Sequence, residues 1–386
     1  MTTAGTKAVS GQDEVLLGTI FEKTILHFLD PVRAYLDDPS VTEIMINGPA
    51  EVYIERKGAL VLTEARFESQ ETLDAAVRNI LQYVGKRVTP EQPMMDGRLP
   101  DGSRVHVAMP PVSRRGTVVT IRKFSREAFE MDYLVSCGTL TEESRDFLRL
   151  CIVTEKNLLI SGGTSSGKTS LLNVLSQYIQ ADRRVVVIEE SSELQLQQPH
   201  VIGLESRAPD RYGRGEVTIR ELFKNSLRMR PDRVIVGEVR GGEALDMIQA
   251  MTSGHAGSMT TLHADSPADA LNRLETMALM SNVEIPLAAM RAQIASAIHV
   301  IVQMMRFADG SRRVVQISQV LALDDAGRYR VEDLFALHLP KGESELVKAE
   351  LQWTGKKIVF RDEVAVQAAA GKLPSVAPLI ADKEGE

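Results

Sequence analysis

The sequence predicts an α/β fold: a domain built on a mainly parallel sheet, preceded by a smaller α/β domain. Three observations lead there. From Asn157 onward, short continuous apolar runs alternate with helical stretches, the pattern of parallel strands covered on both faces. Before Phe124, β-rich runs meet at turn signals around a single helical stretch. Between the apolar run "NLLIS" and an amphipathic stretch lies the glycine-rich segment "GGTSSGKT", an arrangement suited to holding phosphate.

The elements follow in chain order. The 386 residues argue for two or three domains. Residues 1–30 read as a loose N-terminal arm, polar and small at its start. Residues 31–125 read as the small α/β domain. In it, "VTEIMINGPAEVYIERKG" holds two β-rich runs around Asn47-Gly48-Pro49, a hairpin signal. Leu73, Val77, Ile80, Leu81 and Val84 fall at helical spacing, and Gly85 is a stop for that helix. "SRVHVAMPP" and "GTVVTIRKF" read as strands. Residues 126–140 read as a linker. The second domain, 141–340, opens at Thr141 with Glu142 and Glu143, a helix start. Its strands are "NLLIS", "RVVVIEE", "RVIVGE", "MTTLH" and "HVIVQM", followed by a hairpin of "RRVVQISQVLAL" and "GRYRVEDLFAL". Residues 341–386 read as a C-terminal tail without an assigned role.

Composition excludes several classes. The chain is 44% hydrophobic and 25% charged, as in a soluble globular protein. A net charge of -7 and 5% aromatic residues speak against a nucleic-acid binder with a stacking platform. Cys137 and Cys151 are far apart, with no histidine at ligand spacing, so no zinc site is expected. The start "MTTAGTKAVSGQDEV" lacks the apolar core of a signal peptide. The longest apolar stretch, "IASAIHVIVQMM", is too short to span a bilayer. A cytoplasmic location is expected, with docking on a membrane left to a partner.

The phosphate loop is the strongest single signal. Gly162 to Thr169 fits G-x-x-x-x-G-K-[ST], with a strand before and a helix after. Its candidate nucleotide contacts are Gly162, Gly163, Thr164, Ser165, Ser166, Gly167, Lys168, Thr169 and Ser170. Glycines let the backbone wrap closely, and the amides and helix N-terminus favour an anion. Lys168 is expected on the β and γ phosphates, and the Thr169 hydroxyl on Mg²⁺. A chance turn is the bland reading, and the strand-loop-helix context weighs against it.

The strand "PDRVIVGEVRGG" lacks the aspartate that commonly helps hold magnesium: Gly237 stands there, and the first acid is Glu238. Another strand ends in Glu189 and Glu190. If it lies beside the phosphate-loop strand, those carboxylates face the phosphates and can orient water. Glu190 and Glu193 could equally cap or solvate a strand end. His263 ends an apolar strand, and His255 sits between Gly254 and Gly257 on a loop that can shape itself to a ligand. Taken singly, each could be an ordinary structural histidine. Arg104, Arg122, Arg207, Arg228, Arg230 and Arg240 are candidates for neutralising phosphate charge, and sequence does not choose among them.

Together, "GGTSSGKTSLLNVL", "VIEESSELQLQQPHV", "GEVTIRELFKNSLRMRPDRVIVGEVRGGEALDMIQAM" and "SGHAGSMTTLHADSPADALNRLETM" resemble the secretion ATPase superfamily of type II and type IV systems. The likeness spans about residues 40–335. It looks most like the Tad (Flp) pilus assembly ATPases, the CpaF-like branch, and next like the conjugation-type secretion ATPases. Only two cysteines are present, against the four-cysteine module usual in the type II and type IV pilus extension branches.

The resemblance implies a RecA-like P-loop ATPase domain behind a PAS-like domain, with ATP and Mg²⁺ as cofactors. It implies Glu189 as the catalytic carboxylate of an acidic box spanning Val187 to Glu193. Glu238 would stand near the metal, with Thr169 and Glu190 as further metal contacts. His263 and His255 match a histidine box, and Arg104 and Arg122 match first-domain arginines that reach the nucleotide. It further implies a homo-hexamer, peripheral to the inner membrane, that acts on pilin-like subunits through a membrane platform protein, with no nucleic acid. The chain departs from the usual pattern at Glu190, at Ser165-Ser166 and at Ala256. A nucleic-acid translocase, a nucleotide-gated ring with little turnover and a small-molecule kinase are the other readings of a P-loop chain.

Overall fold

The computed structural model describes residues 23–56, 58–124, 129–210, 212–338 and 349–364. The chain divides into two compact units, residues 1–127 and 128–386. Most of the expected N-terminal arm, the tail beyond residue 364 and part of the expected linker lie outside the described residues.

In the first unit, helix α1 (Asp30–Asp37) precedes strands β1 (Val41–Asn47), β2 (Val52–Arg56) and β3 (Ala59–Leu62). Helix α2 (Gln70–Val84) and strands β4 (Met94–Arg98), β5 (Arg104–Ala108) and β6 (Val118–Arg122) complete it. The strands form one antiparallel sheet in the order β3-β2-β1-β6-β5-β4. The turn at Asn47-Gly48 joins β1 to β2 as expected. Helix α2 starts on Ser69, whose side chain accepts the Thr72 amide, and stops at Gly85 with φ 69°. Its apolar stripe, Leu73, Ala76, Val77, Ile80 and Leu81, is buried with the inward residues of the sheet. Ile25 and Leu29 join the same core. The expected arm therefore gives its last residues to the fold, because two large apolar side chains there gain from burial.

The second unit begins with α3 (Met131–Ser136) and α4 (Glu142–Val153). Helix α3 lies inside the expected linker, yet Met131, Leu134 and Leu140 are buried in this unit's core. Helix α4 is capped by Thr141, with Ser144 completing the capping box. Then come β7 (Leu158–Gly162), α5 (Lys168–Ser176), β8 (Val185–Glu189), β9 (Val201–Glu205), α6 (Ile219–Ser226) and β10 (Arg233–Val236). After these follow α7 (Glu243–Thr252), β11 (Met259–Leu262), α8 (Pro267–Leu279), α9 (Leu287–Ala297), β12 (Val300–Arg306), β13 (Arg312–Leu321), β14 (Arg330–His338) and β15 (Glu350–Trp353).

The nine strands form one sheet, β15-β14-β13-β12-β7-β11-β10-β8-β9. From β12 to β9 every pairing is parallel, and β13 to β15 add antiparallel strands at one edge. Strands β7, β8, β10 and β11 are buried along their whole length, since apolar layers cover both faces. The tail expected from residue 341 contributes β15, and Ile358, Phe360 and Val364 are buried in the core. The sheet order bears on the site, because β11 and β10 stand between the phosphate-loop strand β7 and the acid-bearing strand β8. The condition that β8 lies beside β7 is not met.

Candidate functional site

Parallel strands all end at one edge of the sheet, and the loops that leave that edge can converge. The segment after β7 does so first. Gly162 is buried, and a Cβ there would come within 2.5 Å of the Met304 carbonyl oxygen and 2.7 Å of Ser166 Oγ. The loop closes this tightly only because residue 162 has no side chain. Ser166 Oγ donates to the Gly163 carbonyl at 2.9 Å, and Gly167 enters α5 with φ 96°. Helices α2, α4, α6 and α8 each start on a Ser or Thr side-chain cap, whereas α5 has none. Its first amides are therefore left for another acceptor.

Lys168 is only 6% exposed. Its ammonium donates to the carbonyls of Gly162 (3.0 Å) and Gly163 (2.8 Å) and stands 3.4 Å from His263 Nδ1. His263 Nε2 stands 3.1 Å from Glu238 Oε1. An ammonium only donates and a carboxylate only accepts. Both contacts hold when His263 is neutral with its proton on Nε2. Partial burial, and then the Lys168 charge, hold the His263 pKa below its ordinary value, which favours that neutral form. Glu238 Oε2 accepts from Arg240 at 2.8 Å, and Arg240 also donates to Glu190 Oε2 at 2.5 Å. A charge line thus runs from the Lys168 ammonium through neutral His263 to Glu238, Arg240 and Glu190. It crosses the ends of β7, β11, β10 and β8 in their spatial order.

Glu189, the last residue of β8, is 6% exposed. Its Oε1 accepts the amides of Glu193 (2.8 Å) and Leu194 (3.0 Å). Burial pushes its pKa up to about 7, against the opposing pull of those amides. The glycine at 237 follows from this neighbour. A Cβ on Gly237 would meet Glu189 Cγ at 3.0 Å, so the Glu189 side chain lies across the space a larger residue would need. Gly237 is held by its own backbone as well, its carbonyl accepting from Thr261 Oγ1 at 2.7 Å.

The structure therefore brings Lys168, His263, Glu238 and Glu190 into one linked group, with Glu189 against Gly237 of the same edge. It does not bring His255 there. His255 precedes β11, and Met259 of β11 pairs with Leu158, the first residue of β7. That is the sheet edge opposite the phosphate loop. Arg104 and Arg122 lie in the first unit, paired with each other in register on β5 and β6. Among the arginines the sequence left equal, Arg240 is singled out by its two acid partners. It lies two residues past Glu238, and nothing in that spacing announced the contact with Glu190.

The donor set fits a phosphate chain and Mg²⁺: an ammonium, uncapped helix amides, Thr169 in the first turn of α5, and acids just past the ends of β10 and β8 at the same sheet edge.

The chain is similar to several known proteins. The family described as Type II/IV secretion system protein matches residues 27–338. The type IV secretion system protein PtlH of Bordetella pertussis is 32% identical over 316 residues, covering 75% of this chain and 93% of that protein. The conjugal transfer protein TrbB of Rhizobium radiobacter is 31% identical over 295 residues, covering 75% of this chain and 87% of that protein. In fold, the ATPase DotB of Legionella pneumophila superposes with a TM-score of 0.53 at 20% identity, over 78% of this chain and 82% of that one. With the family matched over most of its length and the phosphate loop, acids and histidine gathered at one sheet edge, the chain belongs to the type II/IV secretion system proteins.

Proposed function

We propose that this chain is an ATP-hydrolysing motor of a secretion machine, working with Mg²⁺. The observation that carries the reading is the charge line at the strand ends, which joins the phosphate-loop lysine to acids on two further strands. Lys168, held by loop carbonyls, is placed to shift onto phosphate oxygens, which bind an ammonium more strongly than neutral carbonyls do. His263 then keeps Glu238 in register with Lys168. Glu189 is the candidate proton acceptor, since a carboxylate that titrates near neutrality can both take and release a proton. Mg²⁺, when bound, would neutralise phosphate charge, with Thr169, Glu238 and Glu190 as the residues to hold it or its waters. Arg104 and Arg122 of the first unit are further candidates for phosphate contact.

Of the machines this family serves, the named relatives favour a conjugation-type type IV secretion system, and the sequence segments favour a Tad/Flp pilus. In our reading the chain works as a ring-shaped homo-oligomer, a hexamer, on the cytoplasmic face of the inner membrane. The pilus reading adds a platform protein, through which the ring acts indirectly on pilin-like subunits, with no nucleic acid as ligand. Among the described residues no helix is long and apolar enough to cross a membrane.

Steady-state ATP hydrolysis with Mg²⁺, with and without DNA, tests the proposal. Turnover is expected in the intact chain, indifferent to DNA. Lys168→Ala should abolish it, and Glu189→Gln should lower it by on the order of a hundredfold while nucleotide still binds. Normal turnover in Glu189→Gln would remove that residue from the chemistry. Turnover that requires DNA would favour a translocase.

A further inference from the structure

The charge line lies on one flank of the phosphate loop, where β11 and β10 follow β7. The other flank is formed by β12 and β13, and it carries a cation of its own. Arg312 opens β13, opposite Arg306 at the end of β12. Strand β12 runs parallel to β7, with Met304 level with Gly162, so Arg312 lies at the same sheet edge as the loop. Its stem packs over Gly167: a Cβ built there would meet Met304 Cε at 3.3 Å, Arg312 Cδ at 3.5 Å and Arg312 Cβ at 3.8 Å. The backbone beneath it is fixed. Thr139 Oγ1 donates to the Arg312 carbonyl at 2.9 Å, and the Val314 amide donates to the Thr139 carbonyl at 3.0 Å. Strand alternation sends the neighbouring Arg313 elsewhere, to the Ala349 carbonyl and over the Phe307 ring.

Arg312 differs from Arg240 in one respect. Arg240 is held by two carboxylates. Among the described residues the Arg312 guanidinium enters no ion pair, and its Nε is buried without a hydrogen-bond partner. An arginine held against a phosphate loop with an unpaired buried N–H is a group whose partner is an anion.

We propose that Arg312 is a nucleotide-binding residue that takes the nucleoside-side end of the phosphate chain, the α-phosphate above all. The assignment of the end follows from the two flanks. Lysine of a phosphate loop serves the β and γ phosphates, and Lys168 leans toward His263 and Glu238. The γ end therefore lies on that flank, and the chain runs back across Gly167 toward Arg312 and Met304. The proposal rests on the nucleotide reading above and adds to it a cation supplied in cis by the β12–β13 hairpin. Arg312 binds ground state and transition state alike, so it acts on affinity and leaves the chemical step alone.

The test is calorimetric titration of ADP into the full chain, its Arg312→Gln and Arg312→Lys variants, and Lys168→Ala as a reference, with a thermal melt of each without nucleotide. Arg312→Gln should weaken ADP binding about tenfold or more, the loss of one charge-assisted contact. Arg312→Lys should recover part of it, and the melts should coincide. In hydrolysis, KM for ATP should rise by the same factor as the ADP Kd with kcat nearly unchanged. An Arg312→Gln protein that binds ADP within twofold of the parent overturns the inference, whether or not its melt has dropped, while the nucleotide reading stands on the loss in Lys168→Ala. An intact chain that binds no ADP overturns the nucleotide reading itself, and this inference with it.

Discussion

Glycine at 237 shows how one residue's identity is set by another's side chain. Glu189 is pinned by two amides, and its Cγ lies 3.0 Å from where a Cβ at 237 would stand. Carboxylate and glycine form a pair: the acid comes from β8, and β10 makes room for it. Gly237→Ala should therefore disturb Glu189 without unfolding the protein. We expect turnover to fall by roughly tenfold, since displacements well below 1 Å already cost rate at a catalytic group. The thermal midpoint should drop by no more than a few degrees. Unchanged turnover in this variant would show that the position of Glu189 is not critical. Sequence could find the missing aspartate at 237. It could not show why glycine replaces it, because Glu189 and Gly237 are 48 positions apart and meet only through the pairing of Ile188 with Val236.

At the scale of elements, the two ends of the parallel sheet do different work. The C-terminal edge gathers the charge line. The opposite edge is closed by structural polar contacts. Asn157 there donates from its amide to His299 Nδ1 at 3.0 Å and from its side chain to the Ala297 carbonyl at 2.7 Å, while Arg233, fully buried, donates to the carbonyls of Ile152 and Gly257. His299 must be neutral to accept. Burial first, and then the charge of Lys156, depress its pKa to about 4. The unfolded chain binds a proton at this histidine below about pH 6.5, whereas the folded chain does so only below about 4. The stabilisation is therefore complete above pH 6.5 and is lost as pH falls from 6.5 to 4, on the order of 1–3 kcal/mol. Denaturant midpoints across that range should fall more steeply for the parent than for His299→Gln. Parallel curves would mean that His299 carries no part of the acid sensitivity. This division of the sheet also accounts for His255, whose sequence context of flanking glycines looks ligand-like but whose position before β11 puts it at the structural edge.

At the scale of the whole molecule, the function proposed above makes a ring of identical subunits the expected working form. Light scattering of the purified chain, with and without ATP and Mg²⁺, should show a hexameric mass in at least the nucleotide-bound condition. A monomer in every condition would remove the ring from the proposal. Such a motor draws on nucleotide-driven changes between subunits, so oligomerisation and turnover should rise together with protein concentration.

The sequence by itself determined the fold class, most of the strands and the phosphate loop, because these depend on local pattern: apolar runs bounded by turns, helix caps, and glycines at fixed offsets around Lys168. It also named His263, Glu238 and Glu189, since an acid or histidine at the end of a buried strand is visible in one dimension. Only the tertiary structure decided which strand lies beside which. That order placed β11 and β10 between the loop and Glu189, removed His255 from the site, turned residues 131–136 and 350–353 from linker and tail into elements of the second unit, and set Arg312 against Gly167. The physical reason is common to all four. Pairing between distant strands is chosen by burial and register across the whole sheet, and no short stretch of sequence carries that information.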